Sequence, residues 1–354
     1  MKMFSDMGAT VKVKLIDVAR HARVSPTTVS RAIAQPDLVN PDTLARVRAS
    51  AAKLGYVPDG AARALASGRS MTMGAVIPTL DSAIFARALQ AMQTALSRQG
   101  YQLLVASHDY SAAAEAEAVR MFMIRGVDGL MLVGAQRPAA TWELLESANV
   151  AIVLTWCDEP RFSAISVDNA RAGRIAAQHL IALGHRRIGV VLGALHFNDR
   201  QRARLAGIRA AIEEAGLSLP DWCVSEQPLS LAGGRTGCAQ MLALDQPPTA
   251  IIGGIDILAI GCVEEIHARG LVVPDDLSVV GIDNLEMSAH LFPALSTVHL
   301  PVARIGELAA ESLLAQLRSG GTATHVDLPV ELVVRRSTAR LARAQNELMT
   351  RKGN

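Results

Sequence analysis

The chain has 354 residues, half of them apolar and 19% charged, and a net charge of +2. This is length for two to three domains, with apolar content for a buried core, and it excludes a disordered polyampholyte. No apolar run approaches the roughly 20 residues that span a bilayer, and the start has no apolar signal stretch, so a soluble cytoplasmic protein is expected.

Charge is uneven. Residues 1–70 hold eleven Lys and Arg against five Asp and no Glu, which leaves +6 there and −4 for the other 284 residues. A basic head on a mildly acidic body suggests a polyanionic partner for the head alone.

The head reads as three short helices. Leu15, Val18, Ala19 and Ala22 share one helical face, and Arg23-Val24 makes a turn. Ser25 then stands at an N-cap with Pro26 at the first helical position, where its missing N–H costs nothing. Val29, Ala32 and Ile33 face inward, leaving Thr27, Thr28, Ser30 and Arg31 to point elsewhere. A third helix opens at Asn40-Pro41-Asp42, buries Leu44, Val47, Ala51 and Leu54, and closes at Gly55. Three helices with a three-residue turn before the second match a helix-turn-helix, whose second helix lies in the major groove of DNA.

The runs VKLIDVARHARVSPTTVSRAI (13–33), VNPDTLARV (39–47) and LGYVP (54–58) closely resemble the lactose-repressor family of bacterial regulators. The likeness continues less specifically through residue 338. It implies that Pro26, Thr27 and Arg31 read bases, while Leu15, Ser25, Thr28, Asn40, Thr43 and Tyr56 contact phosphates. Proline at the first reading position favours apolar contact with a thymine methyl. The resemblance also makes 58–69 a hinge helix that forms against the minor groove, with Leu65 as a wedge and Ala62 one turn before it. One or two turns are marginal in water, and Gly60 raises the ordering cost.

From Met73 onward, apolar strand candidates alternate with amphipathic helices. The strands are 74–77, 102–106, 129–133, 151–154, 188–192, 250–253 and 279–282; the helices include 85–99, 170–183, 202–215, 257–269 and 302–317, four of them closed by Gly100, Gly184, Gly216 and Gly270. This alternation gives an α/β fold with parallel sheets, whose ligands bind beyond the carboxyl ends of strands. The resemblance, carried in the body by GHRRIGV (184–190) and LSVVGIDN (277–284), makes it a two-lobed core of the periplasmic-binding type, each lobe a doubly wound parallel sheet. The expected organisation is a head at 1–57, the hinge at 58–69, a core at 70–340 and a tail at 341–354. Lobe 1 takes about 71–167 and 298–328; lobe 2 takes 168–297 and 329–339.

The resemblance places effector contacts at Asp81, Phe85, Trp156, Arg204, Asp256 and Asp283. An arginine fork facing a carboxylate across a cleft grips vicinal hydroxyls or a ligand carboxylate. Ile255 replaces the polar residue usual beside Asp256. His196, Arg200 and Arg202 on the Arg204 segment favour an anion, and the Pro78–Phe85 loop resembles gluconate-type regulators, so a sugar or sugar acid is expected. With twelve Phe, Trp and Tyr in all, a purine sandwiched between rings is disfavoured.

Ser50-Ala-Ala-Lys53 matches S-x-x-K by chance, since neither S-D-N nor K-T-G accompanies it, and no phosphate-loop, nucleophile-elbow or zinc-helix motif occurs. No enzyme activity and no cofactor are therefore expected. Cys157, Cys223, Cys238 and Cys262 have no ligand spacing, so they read as small core residues without a metal. The tail has too few heptad positions for a tetramerising bundle, which leaves a homodimer on a two-fold operator. The expectation is a DNA-binding transcriptional regulator, a repressor, switched by a small effector. The alternative is a cytoplasmic sugar-binding protein with no transcriptional role.

Overall fold

A computed structural model describes residues 13–58, 60, 64, 68–319 and 323–341. The chain separates into two compact units, one up to Met71 and one from Thr72.

The first unit has α1 (Leu15–Ala22), α2 (Pro26–Ala34) and α3 (Pro41–Leu54). Val18, Ala19, Ala22, Val29, Ala32 and Val47 form its core, with Leu15, Ile33, Leu44, Leu54 and Tyr56 packed around them. Arg23 makes the turn with φ +55, donating its N–H to the carbonyls of Ala19 and Arg20. The buried Ser50 hydroxyl meets His21 Nδ1 at 2.9 Å and ties α3 to α1, so the S-x-x-K serine serves the head's packing. The hinge positions Ala62 and Leu65 lie outside the described residues, as does the tail from residue 342.

The second unit holds two six-stranded sheets. The first has order β11-β5-β4-β3-β1-β2 and is parallel throughout, from β1 (Thr72–Ile77), β2 (Gln102–Ser107), β3 (Gly129–Val133), β4 (Ala151–Thr155), β5 (Ser163–Val167) and β11 (His325–Leu328). The second has order β12-β10-β9-β8-β6-β7, from β6 (Ile188–Leu192), β7 (Val224–Glu226), β8 (Ala250–Gly253), β9 (Ser278–Asp283), β10 (Ser296–His299) and β12 (Glu331–Val333). Only the β10–β12 pairing is antiparallel. The chain therefore passes from one sheet to the other three times, after Val167, after His299 and after Leu328.

The helices in chain order are α4 (Ala83–Ser97), α5 (Ala112–Ile124), α6 (Ala139–Glu146), α7 (Asn169–Ala182), α8 (Asp199–Glu214), α9 (Leu231–Leu242), α10 (Asp256–Ala268) and α11 (Val302–Ser319). Helix α9 runs against local propensity. It carries Gly233, Gly234 and Gly237, each unfavourable in a helix by about 1 kcal/mol. Packing explains them: a Cβ on Gly234 would lie 2.3 Å from the Leu258 carbonyl oxygen and 2.9 Å from Gly261 Cα. Gly234 lets α9 approach α10 to backbone contact over a core that includes Cys238 and Cys262, while a Cβ on Gly233 or Gly237 would meet the Pro228 carbonyl oxygen at 2.1 Å or the Val191 side chain at 2.5 Å. Strands β5, β7, β10, β11 and β12 go beyond the sequence pattern because they are short or rich in Ser, Thr and charge.

Both sheets reverse their winding between the first and third strands, β1/β3 and β6/β8. Doubly wound sheets bind ligands outside the carboxyl ends of strands at such switch points.

Candidate functional site

In the head, Ser25 Oγ accepts from the Thr28 amide at 3.0 Å, and its own backbone is extended. Pro26 follows at the first helical position. Asn40 Oδ1 likewise accepts from the Asp42 amide at 3.0 Å. Pro26, Thr27 and Arg31 are exposed on α2 with no packing duty, whereas Leu15, Thr43 and Tyr56 are half-buried. Thr28 departs from the expected outward-facing set. It is half-buried, and its hydroxyl meets Ser25 Oγ at 2.8 Å, so it shares in the cap. The described surface of α2 thus offers a guanidinium, a hydroxyl and a helix N-terminus, the set that suits base edges and phosphates.

In the second unit, polar side chains converge where the strands of both sheets end. Arg204 on α8 is fully buried; its Nε donates to Asn169 Oδ1 at 3.0 Å and its Nη1 to the Gly254 carbonyl at 2.6 Å. The Asp283 carboxylate at the end of β9 lies 3.5 Å from Nη1. Burial pushes the Asp283 carboxyl up to about 8 against the pull of Arg204, and burial also lowers the Arg204 guanidinium. Both stand on the second lobe, where the winding brings α8 beside the end of β9, so the pair lies within one lobe and not across the cleft. Gln201 spans the β6/β8 switch point, its Oε1 accepting from the Gly193 amide and its Nε2 donating to the Gly254 carbonyl, both at 3.3 Å.

The first lobe supplies the facing wall. Trp156, just past β4, is buried with φ +58, and its ring meets Phe85 edge-on at 5.3 Å. Asn169 Nδ2 donates to the Trp156 carbonyl at 3.3 Å, so a polar chain runs from Trp156 through Asn169 and Arg204 to Asp283. Asp199 Oδ2 accepts from the Ala135 amide at 2.6 Å, latching α8 to the loop after β3. Gly134 permits that contact: a Cβ there would fall 2.5 Å from Arg200 Nη1.

Asp109, Tyr110, Trp156, Phe197, Asp283 and Asn284 all hold positive φ. Non-glycine residues pay for such conformations, which cluster where ligands bind. Six buried side-chain atoms here lack a hydrogen-bond partner: both ring nitrogens of His108, Gln136 Oε1, Arg137 Nη1, Trp156 Nε1 and Asp283 Oδ1. Orphaned polar atoms at this density mark a site made for something polar. Of these residues, His108 and Gln136 border a space of only about 10 Å³, together with Tyr110, Phe197, Asp199 and Arg200. Larger clefts of about 550 and 620 Å³ flank it.

Two expected contacts stand elsewhere. Asp256 is buried with both carboxylate oxygens occupied: Oδ1 accepts from the Thr297 hydroxyl, and Oδ2 accepts from the Ser288 hydroxyl and, at 2.8 Å, the Leu285 amide. It braces the loop after β9 instead of presenting a free edge. Asp81 is exposed and lines the 620 Å³ cleft with Ser82 and Ile255. The expected cationic segment is also reduced. Arg202 turns out to bond the Leu195 carbonyl and His196 is exposed against Phe197, so only Arg200 joins Arg204 inside. His108, Gln136, Arg137, Asn169 and Asp199 were not singled out from sequence, although the strand-end rule covers His108 after β2 and Gln136-Arg137 after β3. Cys157 borders the 550 Å³ cleft with its thiol pushed up to about 12 by burial, unsuited to nucleophilic chemistry.

Residues 14–59 match the model of the lacI family of bacterial regulatory proteins, and residues 177–338 match that of a periplasmic binding protein-like domain. The ribose operon repressor of Haemophilus influenzae is 32% identical over 305 residues, covering 86% of this chain and 91% of its own. The transcriptional repressor PurR of Proteus mirabilis is 32% identical over 336 residues, covering 94% and 97%. The chain belongs to the LacI family. Among solved structures, the lac repressor dimer bound to operator and the anti-inducer ONPF superposes with a TM-score of 0.81 at 29% identity, over 92% of this chain and 99% of that one. The family's architecture, a helical head followed by a two-lobed parallel α/β core, is the one described above. Among the described residues, no helix is long and apolar enough to cross a membrane, and no group of three His, Cys, Asp or Glu could hold a metal.

Proposed function

We propose that this protein is a cytoplasmic transcriptional repressor, not an enzyme, that binds an inverted-repeat operator as a homodimer. A small polyhydroxylated effector, a sugar or a sugar acid, switches it from the cleft of the second unit. The observation that carries the reading is the pairing, in one chain, of a capped α2 with unengaged Pro26, Thr27 and Arg31 and a cleft lined by orphaned polar groups. Resemblance to a lac repressor solved as a dimer on operator supports the two-fold arrangement. Pro26, Thr27 and Arg31 read bases; Leu15, Ser25, Thr28, Asn40, Thr43 and Tyr56 position the head on phosphates; Ala62 and Leu65 act in the hinge. Arg204, Asp283, Trp156 and Phe85 line the effector site, with Asp81 at its mouth.

The ligand acts by binding one lobe arrangement better than the other, and the coupling equals that differential affinity. The test is selection of bound DNA from a random pool by the full chain and by a fragment of residues 70–354. The full chain should enrich an inverted repeat, with affinity falling steeply as salt rises. Enrichment of the same repeat by the fragment, or no enrichment by either, overturns the reading.

A further inference from the structure

Asp283 is held in an unfavourable conformation, and its contact with Arg204 does not explain why. Its φ is +134 and that of Asn284 is +57, two consecutive non-glycine residues in the region that favours glycine. Burial keeps the proton on Asp283 up to about 8, so below that value no carboxylate is drawn to Arg204 Nη1, 3.5 Å away. Other contacts must seat these two residues.

Those contacts come from β10 and from the C-terminal strap that follows β12. Asn284 donates its backbone N–H to Thr297 Oγ1 and its Nδ2 to His299 Nδ1, both at 3.2 Å and both on β10. Its Oδ1 accepts from Arg335 Nη2 at 2.7 Å. Arg335 stands in the strap just past β12; its Nη1 donates to the Leu295 carbonyl at 2.7 Å and its amide to Ser296 Oγ at 2.9 Å. One half-buried guanidinium thus ties the start of β10 to the residue beside Asp283. The far end of the strap is anchored on α7 and the turn after it. Thr338 Oγ1 meets His179 Nε2 at 2.9 Å, and the Ala339 carbonyl accepts from His185 Nε2 at 3.1 Å. The first residue of α7 is Asn169, which accepts from Arg204. The strap therefore reaches both partners, Arg204 through α7 and Asn169, Asp283 through Asn284.

We propose that Arg335 is a positioning residue for the cleft: acting through Asn284, it holds Asp283 in the seat that faces Arg204. This deepens the reading of the cleft as an effector site and rests on it. The charged and titratable groups around that seat are Arg204 on α8, Asp256 on α10, Tyr110 from the first lobe and, through Asn284, His299 and Arg335.

The test is the pH profile of stability, read without ligand from urea unfolding of the full chain in a window above the histidine range, about pH 6.5 to 9. In the wild type the unfolding constant should rise by up to about tenfold per pH unit as far as about 8 and then level off. In Arg335→Met, Asp283 should relax towards solvent and release its proton nearer the ordinary carboxylate range, so the rise leaves this window. Loss of the cation alone acts in the opposite direction, because it favours neutral carboxyls nearby, Asp256 among them. Loss of packing alone lowers stability at every pH and leaves the break where it was. Asn284→Gly removes the acceptor while easing the backbone, so it should flatten the profile and keep the fold. A break that stays at about 8 in both variants, or a wild type with no rise to lose, overturns the proposal. Flattened profiles from a chain that selects no inverted repeat leave the positioning role standing and sink only the functional reading.

Discussion

The head and the cleft offer polar groups to a partner in opposite ways. In the head, the groups are exposed, lie close together in sequence on α2, and owe nothing to tertiary packing; Ser25 and Pro26 start the helix and the rest follow. In the cleft they are buried, come from strand ends scattered between Phe85 and Asp283, and are held by ion pairs and strained backbone. Solvent-screened contacts contribute through number and long-range attraction, while desolvated pairs are individually strong and individually costly to break. Removing one group should therefore cost little stability in the head and a great deal in the cleft.

The largest expected effect is at Arg204. Above about pH 8, where Asp283 is ionised, Arg204→Ala leaves its carboxylate buried without a cation and should cost about 3–5 kcal/mol, read from the urea midpoint of the core transition. Replacing the pair together, Arg204→Met with Asp283→Leu, should cost clearly less. Equal losses in the two would show that the arginine's packing, and not its charge, sustains this region.

Next is Arg31. Because it is exposed and unengaged, Arg31→Ala should leave head stability unchanged and cost about 1–3 kcal/mol in discrimination between the selected operator and a single-base variant. Uniform weakening on all DNA, with a reduced salt slope, would reassign it to phosphate contact.

The pattern of what was legible follows the same division. Helix ends in the head are written locally, in Ser25-Pro26, Asn40-Pro41 and Gly55, and each cap forms as read. In the core, the long strands and the helices closed by Gly100, Gly184, Gly216 and Gly270 were equally clear, and all four glycines adopt positive φ. Helix α9 was hidden because its glycines reflect close contacts with α10, Pro228 and Val191, tertiary facts that propensity opposes. The cleft was legible as a set of strand ends but not as a wiring scheme. Nothing local distinguishes Asp256, saturated by Thr297, Ser288 and Leu285, from Asp283 beside Arg204, and nothing local pairs Glu115 with Arg137.

A third effect separates the regions by pH. Asp283 holds its proton to about 8 in the folded chain, whereas an unfolded aspartate releases it near about 4. Between those values the folded state binds more protons, so core stability should fall as pH rises, by up to about 1.4 kcal/mol per pH unit, and level off above about 8. Asp283→Asn should flatten that slope in a series of urea melts. A slope that survives the substitution assigns the titration to another group.

The smallest effect is Ser25→Ala, which removes the acceptor for the Thr28 amide and should cost the head about 1 kcal/mol by thermal unfolding, with Ser25→Asp retaining most of it. No loss would mean that the Thr28 hydroxyl caps in its place.

The central claim is that occupancy of the buried site governs DNA binding by the exposed one. It is tested most directly by fluorescence anisotropy of the full chain on its selected inverted repeat, with and without saturating polyol. Operator affinity should change by about 5–150-fold, the usual range of allosteric coupling, and the change should vanish in Arg204→Ala while ligand-free affinity stays near wild type. Affinity that ignores every polyol, or a full response surviving in Arg204→Ala, would contradict the account.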